Sequence, residues 1–424
     1  MRVGARMWGE TTKSGVLAVG LIFPIFCQTV VAQSPADEQI CAKERSDAGM
    51  VACDRAIREA PEKPSLFTDR GNNWVTKRND ERALADFNES IRLDPNYAPA
   101  FVGRGNVWFS QRDFERAIAD YTEAVRLDPQ NTKALYNRAL SFTRIDEHER
   151  ALADFSEVVR LDPQQANAFR GRGAVWDIKG NWDNAIADYT RAIELDPASA
   201  ALFLARAQAW RSKGDADRAL ADTTAALRLT PTNAEAFGAR ANIWLAQGNN
   251  DRAIADFNEA IRLNPKDAGA FANRGTAWKR RGDNNRALAD YDAAIRLDPN
   301  QARVFFNRGI IWGDKRNNDR AIADFNEAIR LNPEYADAFA DRGASWMDKG
   351  RRDRAIDDLN EAIRLDPNMT RAFYNRGLAW ERMGDLAQAL TDYRTAVRLS
   401  PTNTGAAKAA RAVAARIDAR VRGR

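Results

Sequence analysis

The chain has 424 residues, 29% of them charged and 44% hydrophobic, with a formal net charge of +5. That length would hold two or three ordinary domains, but the balance fits one soluble globular or repetitive body. The charge sits at the ends: residues 1–32 carry +2, and Lys408–Arg424, with six basic residues and one acid, carries +5. The middle is therefore near neutral or slightly acidic, and a nucleic-acid partner along its length is not expected.

In the first 32 residues Arg2, Arg6 and Lys13 precede the apolar run Val16–Cys27, and "VVA" ends at Ala32. This is the pattern of a cleaved secretory leader, residues 1–32. An uncleaved membrane anchor is the alternative, but a span needs about 20 apolar residues, and Pro24, Gln28 and Thr29 interrupt the run. Phe26 is too bulky for the position before a lipidated cysteine. Export predicts a periplasmic or secreted protein whose mature chain keeps two cysteines, Cys41 and Cys53. In an oxidising compartment that even pair predicts a disulfide, with a free buried pair as the alternative. A metal site has little support, because no histidine is near and the spacing is twelve.

From there to the end one feature dominates. Prolines fall at 95, 129, 163, 197, 231, 265, 299, 333, 367 and 401, always 34 apart. This register defines residues 33–63 as an N-terminal half repeat with the cysteines, 64–403 as ten full repeats, and 404–424 as a capping helix with a basic tail. With the proline at position 32, mostly apolar residues recur at positions 4, 8 and 11 and at 20, 24, 27, 28 and 30, two helical stripes per repeat. Position 4 is Phe or Leu, position 8 Gly or Ala, position 11 Trp in nine repeats, and position 20 always Ala. The small residues predict a close approach of the two helices. Position 16 is Asn or Asp in eight repeats, the side chain an N-cap uses, and the proline ends the second helix. Position 7 is always Arg, from Arg70 to Arg376, and position 23 always Asp, from Asp86 to Asp392. They are expected to pair, within a repeat or between neighbours, and to fix register. The tryptophans are expected in the seam between helices rather than as a ligand ladder, since one hairpin cannot bury its own apolar face and needs neighbours.

An aromatic at 4, Gly or Ala at 8, an aromatic at 11, Ala at 20 and proline at 32, in frame over most of the chain, resembles the tetratricopeptide repeats. The wording "NRG…AIADYxxAIRLDP" is similar to exported bacterial members, whose N-terminal half repeat often carries a cysteine pair. The resemblance implies an all-α, right-handed superhelical solenoid of antiparallel helix pairs. It also implies a non-catalytic scaffold whose variable stripe at positions 5, 9 and 12, flanked by 2, 6 and 13, lines a concave groove for a peptide or partner helix. Along that stripe repeats two and three are apolar (Val102, Phe109, Tyr136, Leu140). Repeats four to seven are polar, with Arg170, Asp177, Arg211, Asn242 and Lys279. Repeats eight to ten turn apolar again (Phe306, Ile310, Met347, Tyr374, Leu378). In some family members a carboxylate clamp holds a partner's C-terminus. Asn242, Asn273 and Arg303 match three of its five places, while Gly238 and Asn307 stand where two cations are expected, so a true clamp is not expected.

Two competing readings remain open. The last apolar zone is covered by the chain's own C-terminal helix, through Ala407, Ala410, Val413, Ala414, Ile417 and Val421, which makes the protein a spacer or secreted effector. Alternatively the Arg-rich tail binds a polyanion or membrane surface. Enzyme readings have no support. His148, the one histidine, lies in an inter-helix turn, and Gly103-Arg104-Gly105 and Gly171-Arg172-Gly173 begin a phosphate-loop pattern that no further Gly or Lys completes. No cofactor or metal is expected.

Overall fold

The computed structural model describes residues 34–422, so the leader expected over residues 1–32 lies outside the described residues. Among the described residues the chain forms 23 α-helices and no strand. The half repeat gives α1 (Ser34–Lys43) and α2 (Asp47–Glu59). Repeats one to three follow as α3 (Pro64–Thr76) with α4 (Asp80–Leu93), α5 (Ala98–Ser110) with α6 (Phe114–Leu127), and α7 (Thr132–Arg144) with α8 (His148–Leu161). Repeats four to seven are α9 (Ala166–Ile178) with α10 (Trp182–Leu195), α11 (Ala200–Lys213) with α12 (Ala216–Leu229), α13 (Ala234–Ala246) with α14 (Asn250–Leu263), and α15 (Ala268–Arg280) with α16 (Asn284–Leu297). Repeats eight to ten are α17 (Ala302–Asp314) with α18 (Asn318–Leu331), α19 (Ala336–Asp348) with α20 (Arg352–Leu365), and α21 (Thr370–Met383) with α22 (Leu386–Leu399). The last helix is α23 (Thr404–Arg422). Two compact bodies divide between Ser141 and Phe142, inside α7. Within each, consecutive helices pair as hairpins and hairpins stack on the next, as the all-α solenoid requires.

Local chemistry fixes the helix ends. In the eight repeats with Asn or Asp at position 16, that side chain accepts a hydrogen bond from the N–H three residues on. The exceptions, Glu147 and Arg351, make no side-chain cap. Position 15 turns left-handed in every repeat. It is Gly at six of them and Arg78, Arg112, Asp146 or Arg316 at the others, where a side chain costs roughly 1–2 kcal/mol.

The centre of each core is position 24, not the tryptophan. Phe87, Tyr121, Phe155, Tyr189, Thr223, Phe257, Tyr291, Phe325, Leu359 and Tyr393 are at most 3% exposed, whereas the nine tryptophans at position 11 are half-buried. Each tryptophan packs on a core edge, and in most repeats an arginine at position 19 covers its outer face, as Arg116 does Trp108 at 4.3 Å and Arg286 does Trp278 at 4.6 Å. Such cation–π contacts contribute about 0.5–1 kcal/mol at exposed sites. The glycine at position 8 exists for the buried ring: a Cβ on Gly105 would lie 2.7 Å from Tyr121, and one on Gly275 2.9 Å from Tyr291. Gly103, at position 6, makes room for the preceding repeat's ring, with a Cβ only 2.3 Å from Phe87. The Gly-Arg-Gly triplets are thus packing devices, each glycine admitting a ring.

The arginine between them belongs to the second regularity. In nine repeats the position-7 guanidinium holds the position-23 carboxylate of its own hairpin at two points, 2.6–2.9 Å apart. In all ten repeats its remaining nitrogen donates to the position-25 side chain of the preceding repeat, from Asp54 through Thr122 and Asn258 to Asn360. The sequence left open whether the pair closes a repeat or joins two; the arginine does both. Hydrogen bonds to Asp86, Asp188 and Asp256 raise Arg70, Arg172 and Arg240 above the usual arginine range. In repeat eight, where Arg308 is shared between Asp292 and Asp324, burial pushes the Asp324 carboxyl up.

The half repeat lacks the pair, with Ala36 and Ala52 at positions 7 and 23. A disulfide joins its helices instead: Cys41 and Cys53, both fully buried, are bonded and pack with Ala56, Ala60 and Leu66. Closing a loop of this length stabilises by about 3 kcal/mol in the chain-entropy account.

Four substitutions separate the contributions of the buried pair and of the glycine packing. Arg274→Ala strips a two-point contact from Asp290, whose side chain is 8% exposed, and should destabilise by about 3 kcal/mol. Arg262→Ala, which removes only the exposed pair with Glu259, should cost under about 1 kcal/mol in the same denaturant melt. Gly275→Ala should destabilise by about 1–3 kcal/mol through the Tyr291 clash. Gly238→Ala, where a Cβ meets nothing within 4 Å, should stabilise by about 0.5–1 kcal/mol; equal effects at the two glycines would contradict the packing account.

Candidate functional site

The scaffold positions repeat, so specific contacts fall to the stripe on the first helices that varies from copy to copy. In the first body this face is more closed than its composition predicts. Val102, expected in the groove, is buried at 6% exposure among Phe101, Ala117 and Tyr121, because its β-branched side chain turns into the hairpin behind it. Phe109 packs edge-on against Phe114, with centroids 5.5 Å apart. Tyr136 and Leu140 are half-buried. Between them Asn106 Oδ1 accepts from both Asn137 Nδ2 and the Tyr121 hydroxyl, each at 2.8 Å.

In the second body first helices touch one another, α9 with α11, α11 with α13 and α13 with α15, and then α17 with α19 and α19 with α21, so their stripe forms one surface over α9–α15 and another over α17–α21. Arg170, Arg211 and Arg303 extend into solvent there. Asn273 Nδ2 donates to Asn242 Oδ1 at 2.9 Å. The two asparagines of the partial clamp are thus joined to each other, and Gly238 faces open space where a cation would be required. Desolvation lowers Lys279, with Asp314 and Asp341 opposing, and burial raises Asp177.

Repeats eight to ten divide. Met347 is buried, at 6% exposure, with Ala355, Ile356 and Ala379, and half-buried Leu378 packs against that cluster. Met347 was expected to be available and is instead part of the core, since its long unbranched side chain fills the gap between hairpins. Phe306 is wedged between Tyr335 and Phe325, at 4.7 and 5.8 Å between centroids. Ile310 opens on a pocket of about 370 Å³ between α17, α19 and α21, floored by Phe325 and Ala344 and edged by Asp314, Asp341, Asp348 and Arg371. Arg371 pairs with both Asp337 and Asp341; burial nevertheless raises Asp341. These carboxylates stand at positions 2, 6 and 13, beside the apolar residues at 5, 9 and 12 that give the stripe its apolar character in the sequence.

The C-terminal helix covers repeat ten. Val413 is fully buried against Leu386, Ala389 and Tyr393, with Tyr374, Ala409, Ala410 and Ile417 around it. Arg416 pairs with Glu381, which also accepts the Tyr393 hydroxyl at 2.8 Å. Ala406 joins the buried face, while Val421, expected on it, is 71% exposed, because α23 runs past the end of the hairpin it covers.

Among the described residues no group of three or more His, Cys, Asp or Glu could hold a metal ion. His148 begins α8, half-buried, with Nε2 3.9 Å from Asp146, too long for a hydrogen bond. No described helix is long and apolar enough to cross a membrane.

A family model for the tetratricopeptide repeat matches residues 102–166, 179–234, 204–268, 239–302, 273–336, 306–370 and 341–404. Among solved structures the chain is similar to the APC/C hetero-tetramer Cut9-Hcn1, at 14% identity over 90% of this chain and 94% of that one, with a TM-score of 0.48. It is also similar to a tetratricopeptide repeat protein from Parabacteroides merdae (21% identity, 58% and 98% coverage, TM-score 0.48). A third is YrrB, whose structure is described as having an unusual peptide-binding site (24% identity, 43% and 95% coverage, TM-score 0.37). A search of curated proteins finds no match. With the family model covering well over half of its length, the chain belongs to the tetratricopeptide repeat family.

Proposed function

We propose that this chain is a non-catalytic scaffold outside the cytoplasm that binds a segment of a partner protein along the first-helix face of its second body. Proteins of its family generally bind protein or peptide partners. The observation that carries the reading here is the pocket beside Ile310. It is lined by α17, α18, α19 and α21 and by no residue of α23, so the chain's own cap, which occupies repeat ten, leaves it open. That favours an external ligand over a self-occupied spacer. A concave site with a few polar groups around an apolar floor is the usual form of a recognition site. Export is supported by the leader pattern of residues 1–32 and by the buried Cys41–Cys53 disulfide, a bond that persists in oxidising compartments.

The test is affinity capture from envelope extract with residues 33–424 as bait, beside Ile310→Asp. Ile310 is chosen because Phe306 is part of an aromatic stack and its loss would disturb the fold. A partner held by the parent and weakened at least tenfold by Ile310→Asp, with an unchanged melting temperature, is the expected result. Equal retention by both would return the face to a structural role.

A further inference from the structure

Repeats eight and nine differ from the rest of the second body in the sign of their rim. Position 13 is Asp314 and then Asp348, where the other repeats of this body carry Ile178, Ser212, Ala246, Arg280 and Arg382. Both aspartates are exposed, line the same pocket, and have no hydrogen bond or ion pair among those of the described residues. The one cation in the lining, Arg371, is already shared by Asp337 and Asp341. Lys279 of α15 also acts on Asp314 and Asp341, but Asp314, Asp337, Asp341 and Asp348 outnumber the two cations, so the pocket keeps an acidic rim above an apolar floor of Ile310, Phe325 and Ala344.

The floor carries a second anomaly. Position 12 is Gly313, where the other repeats of this body have Asp177, Arg211, Leu245, Lys279, Met347 and Glu381. Glycine inside a helix costs roughly 0.5–1 kcal/mol relative to alanine. Neither packing nor conformation requires it: a Cβ would meet nothing within 4 Å, and the backbone is ordinary helix. What the glycine does is leave the floor beside Ile310 uncovered. A divalent ion does not fit the acidic rim, because no three carboxylates converge on a point among the described residues.

We infer that this pocket receives a lysine or arginine side chain from the partner's segment, its aliphatic stem lying on Ile310 and Gly313 and its charged head meeting Asp314 and Asp348. The inference rests on the protein-binding reading above and specifies the partner: a cationic segment with an apolar residue beside the charge. Long basic side chains lie naturally this way, stem on an apolar surface and head in a polar one. An exposed acidic rim also speeds and orients the approach of such a segment, in a salt-dependent manner.

Selection from a library of random dodecamer peptides on immobilised residues 33–424 tests this, with Asp314→Asn/Asp348→Asn as the paired variant, shown by its melting temperature to be folded. The expected result is at least tenfold enrichment of Lys or Arg next to a branched apolar residue, lost in the variant while the apolar preference persists. Recovered peptides without excess Lys or Arg, or held equally by the variant, would overturn the cationic assignment and leave groove binding standing. Recovery of no peptide by either protein would overturn both. Self-association abolished both by the variant and by Arg420→Gln/Arg422→Gln would give the pocket to the basic tail of a second copy and overturn the assignment to a different protein.

Discussion

One side chain, the arginine at position 7, determines how the repeats hold together. Its fork closes a hairpin by gripping a buried aspartate at two points, and its remaining nitrogen reaches back to the preceding hairpin. A lysine could not do this, since three bonds in fixed directions need a planar guanidinium. The same guanidinium lies 5.3–5.8 Å from the position-4 phenylalanine in nine repeats. Polar register and apolar packing are therefore set by one residue. Because a buried pair gains little over apolar residues of the same size, its contribution is specificity: a hairpin whose helices slipped by one residue would leave its buried aspartate without a partner.

The ends follow from the same rule. An array linked this way must supply a first acceptor and dispense with a last one. Asp54 in the half repeat accepts from Arg70, and Arg394 occupies position 25 of repeat ten, where no further arginine follows, since the next position 7 is Ala410. Position 8 of the last helix is Arg411 rather than Gly or Ala. A disulfide joins the helices of the half repeat, where the arginine pair is missing, and a helix with a basic outer face covers repeat ten. Stability handled by invariant positions frees the first-helix stripe to vary, and that is where an open pocket with an acidic rim is found.

Much of this was legible in the sequence because ten copies expose which positions tolerate change. The 34-residue register, the helix pairs, the caps at position 16, the Arg–Asp pairing and the cysteine pair could all be read from residue identity and spacing. Three features could not. Val102 and Met347 sit at groove positions yet turn inward, which depends on how the neighbouring hairpin leans and leaves no mark in the pattern. The tryptophans drew attention by size, but burial belongs to the ring opposite the position-8 glycine, and only the Gly105–Tyr121 and Gly275–Tyr291 contacts identify it. The acidic rim was missed because Asp314, Asp341 and Asp348 flank the stripe and come together only when α17, α19 and α21 are side by side.

The claim that carries most weight is that the third donor of each arginine links neighbouring repeats. Asn258→Ala isolates it, since it removes the acceptor of Arg274 and leaves the Arg274–Asp290 pair whole. Native-state hydrogen exchange would then be compared across α14, α15 and α16 in the parent and variant chains. The account predicts exchange about fivefold faster in these helices, equivalent to about 1 kcal/mol for one lost hydrogen bond, with more distant repeats unchanged. Protection identical to the parent would mean that the arginine closes its own hairpin only and that apolar packing alone joins the repeats.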